Sequence, residues 1–85
     1  MSVAAVNAHP GANFSEIHSY LDLLMYYMAW EYELEPVTHP SYLDGRVGQI
    51  LVKSQRVGFI GEFHPEVLEA WQINMPTSGF EFQIE

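Results

Sequence analysis

The stretch GFIGEFHPEVLEAW, from Gly58 to Trp71, decides the fold, because a strand-like run and a helix-like run meet at a single proline. The residue before a proline is pushed toward extended geometry, so Gly-Glu-Phe-His-Pro reads as the exit of a strand covering Val57 to Phe63. Pro65 suits the first position of a helix, and an acid at Glu66 complements the positive end of the helix dipole. Val67, Leu68 and Trp71 then share one face of a short helix. The same corner also sets Glu62, His64 and Glu66 at alternate positions, residue types that a zinc ion accepts as ligands. The simpler reading makes Glu62, His64, Pro65 and Glu66 a structural corner, since Glu66 points along its own helix instead of back at His64.

Upstream, Val3 to Val6 is a brief apolar run ending at the turn signal NAHPGAN, which predicts a first strand. Asn13 is placed as N-cap of the next helix, with Glu16 three residues on as the reciprocal arm of a capping box. Two apolar stripes follow at helical spacing. Phe14, Ile17, Leu21, Leu24 and Met28 form one, and Tyr20, Leu23, Tyr27 and Trp30 form the other. A helix apolar on two sides is buried on more than one side. One sheet covers one stripe, so the second is expected under a loop or against another chain, with Leu23, Tyr27 and Trp30 as the candidate partner interface.

EYELEPV alternates Glu31, Glu33 and Glu35 with Tyr32 and Leu34, a half-exposed strand that Pro36 either places at a sheet edge or ends. THPSYLDG reads as a loop. Val47 to Val52 and Val57 to Phe63 form a hairpin through Lys53-Ser54-Gln55-Arg56, although that joint lacks the glycine or asparagine that tight hairpin turns favour. Gly48, Gly58 and Gly61 inside these strands predict close approach of a helix or a partner. NMPTSG breaks the second helix, and Phe80, Phe82 and Ile84 alternate with Glu81, Gln83 and Glu85 in a last strand. Residues 1–85 are thus one domain of the α+β class, a mostly antiparallel sheet with helices packed on one face.

Composition narrows the function. The chain has 85 residues, no cysteine and a net charge of −8, with Arg46, Arg56 and Lys53 its only lysines and arginines. Three cations are too few for a phosphate backbone, so direct nucleic-acid binding is not expected. Leu23 to Trp30 is the longest uncharged apolar run and falls far short of the ~20 residues of a membrane span. MSVAAVNAHPG has no basic n-region, which leaves the cytoplasm as the default expectation. Hydrophobic residues are 48% of the chain against 16% charged, an apolar balance that favours a partner or self-association of the isolated chain. No phosphate-binding glycine loop opens a long helix, and no serine sits in a G-x-S-x-G elbow.

Four blocks, NFSEIHSYLDLLM, HPSYLDGRVGQILV, VGFIGEFHPEVLEAW and PTSGFEFQIE, in this order and spacing, resemble the C-terminal part of the phenylalanyl-tRNA synthetase β subunit in its archaeal and eukaryotic style. The resemblance runs from about Val3 to Glu85. It implies part of a catalytic-like domain with class II aminoacyl-tRNA synthetase architecture that does no chemistry itself. It further implies that an α subunit uses ATP and magnesium to charge the tRNA, so that no cofactor belongs to this chain. The partners implied are that α subunit and the remainder of the β subunit. Catalytic α subunits carry a similar HP-x-VL…SGFAFG stretch, but here Glu81 and Gln83 stand where small residues are expected. The family's β subunit is several times longer, and the chain reads as a piece of it or as a stand-alone module that binds phenylalanine or another small ligand.

Overall fold

A computed structural model describes residues 1–84. Five strands form one sheet: β1 (Ser2–Ala8), β2 (Glu33–Pro36), β3 (Tyr42–Val52), β4 (Gln55–Phe63) and β5 (Thr77–Gln83). Two helices accompany them, α1 (Phe14–Tyr27) and α2 (Pro65–Ala70). The strand order is β1-β5-β4-β3-β2, and every neighbouring pair is antiparallel. The connection from β1 to β2 therefore runs from one edge of the sheet to the other, and α1 is the element that makes the crossing.

Alternation along the strands sends Val3 and Ala5, Phe80 and Phe82, Ile60, Ile50 and Val52, and Leu34 to the face that α1 covers. Ile17, Leu21 and Met25 of the helix enter the same cluster, each no more than 1% exposed. Leu21 is fully enclosed, so its removal would cost both transfer energy and a cavity, about 2–5 kcal/mol. Met25 belongs to neither stripe read from the sequence. It is drawn inward because the covered side of the helix follows the row Ile17, Leu21 and Met25, at i, i+4 and i+8.

Both helices start where the sequence placed them. Asn13 Oδ1 accepts the Glu16 N–H at 2.9 Å, but Glu16 does not reach back to close the box; its carboxylate accepts instead from the Asn7 amide and from His9 Nε2. The helix ends follow a rule not read from the sequence. Ala29 takes φ 57° and Gln72 φ 60°, each just past a helix. Trp30 N–H then bonds Met25 C=O at 3.0 Å, and Ile73 N–H bonds Leu68 C=O at 2.8 Å. Together with Ala29 N–H to Tyr26 C=O and Gln72 N–H to Glu69 C=O, these are Schellman closures with alanine and glutamine in the left-handed position that glycine normally takes.

The sheet differs from expectation in several places. β3 starts at Tyr42, inside the stretch expected as a loop, because a register shift between Tyr42 and Val47, with Gly45 at φ 76°, absorbs the irregular residues. Likewise Thr77, Ser78 and Gly79, expected in a breaker, pair with β1 and open β5. The β3–β4 joint is only Lys53-Ser54, at φ 53° and 65°, a turn of the primed kind built without glycine. The strand glycines meet neighbouring strands and not a helix: a Cβ on Gly58 would lie 1.8 Å from the Glu81 carbonyl oxygen. Finally, the helices do not share a face. Leu68 of α2 is buried outside the α1-facing cluster, and Trp71 rests its ring against Phe63, on the other side of the sheet.

Candidate functional site

At the corner, the side chains of Glu62, His64 and Glu66 do not converge on one point. Glu62 faces the α1 side of the sheet, where its Oε2 accepts the Phe14 N–H at 3.0 Å and Arg46 Nη1 at 2.9 Å. Only 14% of its side chain is exposed. A carboxylate at the first N–H of α1 satisfies an orphan donor and complements the dipole, so Glu62 ties β4 to the start of a helix 48 residues earlier. His64 is the N-cap of α2, its Nδ1 accepting the Glu66 N–H at 3.1 Å across Pro65. Glu66 itself is exposed. No group of three histidine, aspartate or glutamate side chains among the described residues is arranged to hold a metal ion.

The other two His-Pro pairs repeat this device. His9 Nδ1 accepts the Gly11 N–H at 3.0 Å, and His39 Nδ1 accepts the Ser41 N–H at 3.1 Å. Proline has no N–H to offer, so the first donor that an extended histidine can reach lies two residues on. Accepting at Nδ1 leaves the proton of the neutral ring on Nε2. In His9 that proton goes to Glu16 Oε1 at 2.6 Å.

The outer surface of α1 is where apolar residues stay uncovered. Leu23 is 53% exposed and Tyr27 76%, and Tyr20 and Tyr26 stand beside them at 49% and 79%. Trp30 does not belong to this surface. The helix stops at Tyr27, and the Schellman closure folds Trp30 back so that it packs, half-buried, on the core cluster. A hydrophobic contact from that position to the helix's last turn is a usual companion of the motif. Tyr26 is the residue that the sequence reading missed, and its i+3 spacing from Leu23 was the available signal. The uncovered side is therefore a stripe of three tyrosines and a leucine along one helix.

Comparison with known proteins places the chain in a family. The profile described as the phenylalanyl tRNA synthetase beta chain CLM domain matches residues 3–84. The chain belongs to that family. It is 49% identical over 79 residues to the phenylalanine–tRNA ligase beta subunit of Thermococcus gammatolerans, covering 93% of this chain and 14% of that protein. The corresponding subunit of Pyrococcus horikoshii is 43% identical over 79 residues, again 93% of this chain and 14% of the relative. That of Methanosarcina barkeri is 40% identical over 82 residues, 96% of this chain and 15% of the relative. The chain thus spans about a seventh of the length of the relatives it matches. Among the described residues no helix is long and apolar enough to cross a membrane.

Proposed function

We propose that this chain is a non-catalytic, structural and subunit-interaction piece of a phenylalanyl-tRNA synthetase β chain, supporting aminoacylation of tRNA(Phe) by an α subunit in the cytoplasm. The observation that carries the reading is the outer stripe of α1, four large apolar side chains between 49% and 79% exposed on a helix whose inner side is sealed. Contiguous apolar patches on a small domain mark interaction sites. Tyrosine suits such a surface because it brings a large area with few torsions to freeze.

Other features support a structural part over a catalytic one. Glu62, the least exposed carboxylate of the corner, is already engaged by a helix N–H and Arg46. Arg56 is paired with Glu35 at 3.3 Å, so two of the chain's three lysines and arginines are occupied, which argues against a direct role in holding tRNA. ATP and magnesium belong, in this proposal, to the α subunit's site. The antiparallel sheet with a helix across one face is in keeping with part of a class II synthetase-like domain.

Tyr27→Asp tests the reading. At 76% exposure the new charge meets water in the free chain, so its circular dichroism is expected to be unchanged, while a full-length β subunit with the same substitution loses its association with α in gel filtration. Unchanged association refutes the interface. Calorimetric titration of the chain with phenylalanine and Mg-ATP is expected to give no heat, whereas saturable heat would favour the alternative of a small-ligand module.

A further inference from the structure

The face of the sheet turned away from α1 carries a second feature, independent of the helix stripe. Five rings form a chain across it. His39 lies 4.6 Å from Phe59 and 5.1 Å from Tyr42, Tyr42 stacks on Phe63 at 4.8 Å, and Phe63 meets the Trp71 ring at 5.5 Å. Beside this chain is a cleft of about 280 Å³, with Ala4 and Val6 of β1 as its small-residue side, Tyr42, Phe63 and Trp71 as its aromatic side, and Glu81 of β5 at its border.

His39 and Ser41, in the wall of the cleft, are bonded to one another, which leaves the Tyr42 hydroxyl and the Glu81 carboxylate as unengaged side-chain groups. Tyr42 is only 4% exposed, and its hydroxyl makes no hydrogen bond to another described residue. Burial, with the Glu81 carboxylate nearby, pushes its pKa up to about 12, so the phenol stays protonated at neutral pH. Glu81 has no ion-pair partner among the described residues. A phenol oxygen and a carboxylate near one another but not bonded leave room for a group that donates to both. An ammonium has three donors and no acceptor, and it is attracted to the faces of tryptophan, phenylalanine and tyrosine.

We propose that this cleft binds an ammonium group carried on a short alkyl stem, with Glu81 and the Tyr42 hydroxyl taking its N–H donors and the Phe63 and Trp71 rings flanking the charge. The stem then lies against Ala4 and Val6. A free alkylamine and a lysine side chain of another protein present this same chemistry.

The test is an NMR titration of the chain with n-butylammonium, with n-butanol as the uncharged isostere. Saturable shifts of the Tyr42, Trp71 and Glu81 signals are expected with the amine and not with the alcohol. Glu81→Gln is expected to weaken the amine about tenfold, as loss of a charge-assisted partner does, while Glu66→Gln, an exposed acid outside the cleft, changes nothing. Tyr42→Phe serves as the second variant, keeping the ring and removing only the oxygen. Equal binding of butanol, or undiminished binding by Glu81→Gln, overturns the proposal. A parallel titration with Nα-acetyl-lysine methylamide separates the sources: tighter binding than butylammonium supports a partner's lysine, weaker binding a free amine, and saturation by neither overturns the site.

Discussion

His64 Nδ1 accepts the backbone N–H of Glu66 at 3.1 Å, bridging the proline between them. The strand-to-helix corner therefore uses its histidine as a helix cap. His64→Ala removes that acceptor and is expected to cost about 1 kcal/mol, the ordinary value of an N-cap, whereas His64→Asn restores a side-chain oxygen within reach and recovers most of it. Urea unfolding of the three proteins checks this. An alanine variant as stable as the parent would show that water replaces the cap without loss.

Glu62 and Glu66, so similar in sequence position, are expected to behave differently. Glu62→Ala strands the Phe14 N–H at a site only 14% exposed on the acid's side, while the Arg46 guanidinium, 59% exposed, returns to water, a loss of about 1–3 kcal/mol. Glu66→Ala removes an exposed acid from a helix end and stays within about 0.5 kcal/mol. Thermal melts rank the two; the opposite order would mean that the tie from β4 to α1 carries no stability.

What the sequence made legible is uneven for a physical reason. Helix starts were readable because their causes are local: Asn13 caps a donor three residues on, and Pro65 fixes the φ of the first helical position. Helix stops were not, because Ala29 and Gln72 occupy left-handed positions that carry no glycine to announce them, and the Lys53-Ser54 turn hides in the same way. The misplacing of Trp30 on the outer stripe follows directly from the unseen stop at Tyr27. Leu23 and Tyr27 were readable from spacing alone. Glu62 stood out in the sequence as a position, but its partner, the Phe14 N–H, is 48 residues distant and only the fold brings them together.

Those hidden positions are also the places where the chain can be made more stable. Ala29→Gly relieves the Cβ penalty of a left-handed residue and is expected to add about 0.5–1 kcal/mol, net of the extra flexibility of the unfolded chain. The paired change Lys53→Asn with Ser54→Gly gives the hairpin the residues its turn favours. Denaturant midpoints should rise for both, with no change in the slope of unfolding. A fall for Ala29→Gly would show that chain entropy outweighs the strain.

The strand glycines separate in the same quantitative way. Gly58→Ala would place a methyl 1.8 Å from the Glu81 carbonyl oxygen and 2.6 Å from Phe82 Cα, so β4 and β5 cannot keep their pairing. Loss of the folded state is expected by circular dichroism. Gly48→Ala meets nothing closer than Leu34 Cβ at 3.7 Å and is expected to fold with unchanged or slightly higher stability, since alanine leaves the unfolded chain less freedom. A folded Gly58→Ala protein would mean that the central strands can separate without unfolding.

Tyr42 gives the fold an alkaline limit. Burial first, and the Glu81 charge second, raise its pKa from 10.0 to about 12, and the ring is 4% exposed in the folded chain. Below pH 10 the phenol is protonated whether the chain is folded or not, and its contribution is fully present. Between pH 10 and about 12 the unfolded chain loses this proton while the folded chain keeps it, so the unfolded state binds fewer protons and stability falls as pH rises. Two pH units correspond to roughly 3 kcal/mol at most. Tyr32, raised by burial and by its hydrogen bond to Asp22, acts in the same direction. In Tyr42→Phe the Tyr42 share of the slope disappears while the stacking on Phe63 remains. Urea midpoints measured from pH 9 to 12 are therefore expected to fall more steeply for the parent than for Tyr42→Phe, because every other titrating group is common to both. Parallel curves would place the Tyr42 hydroxyl in water, and with it open the cleft beside Glu81 to solvent.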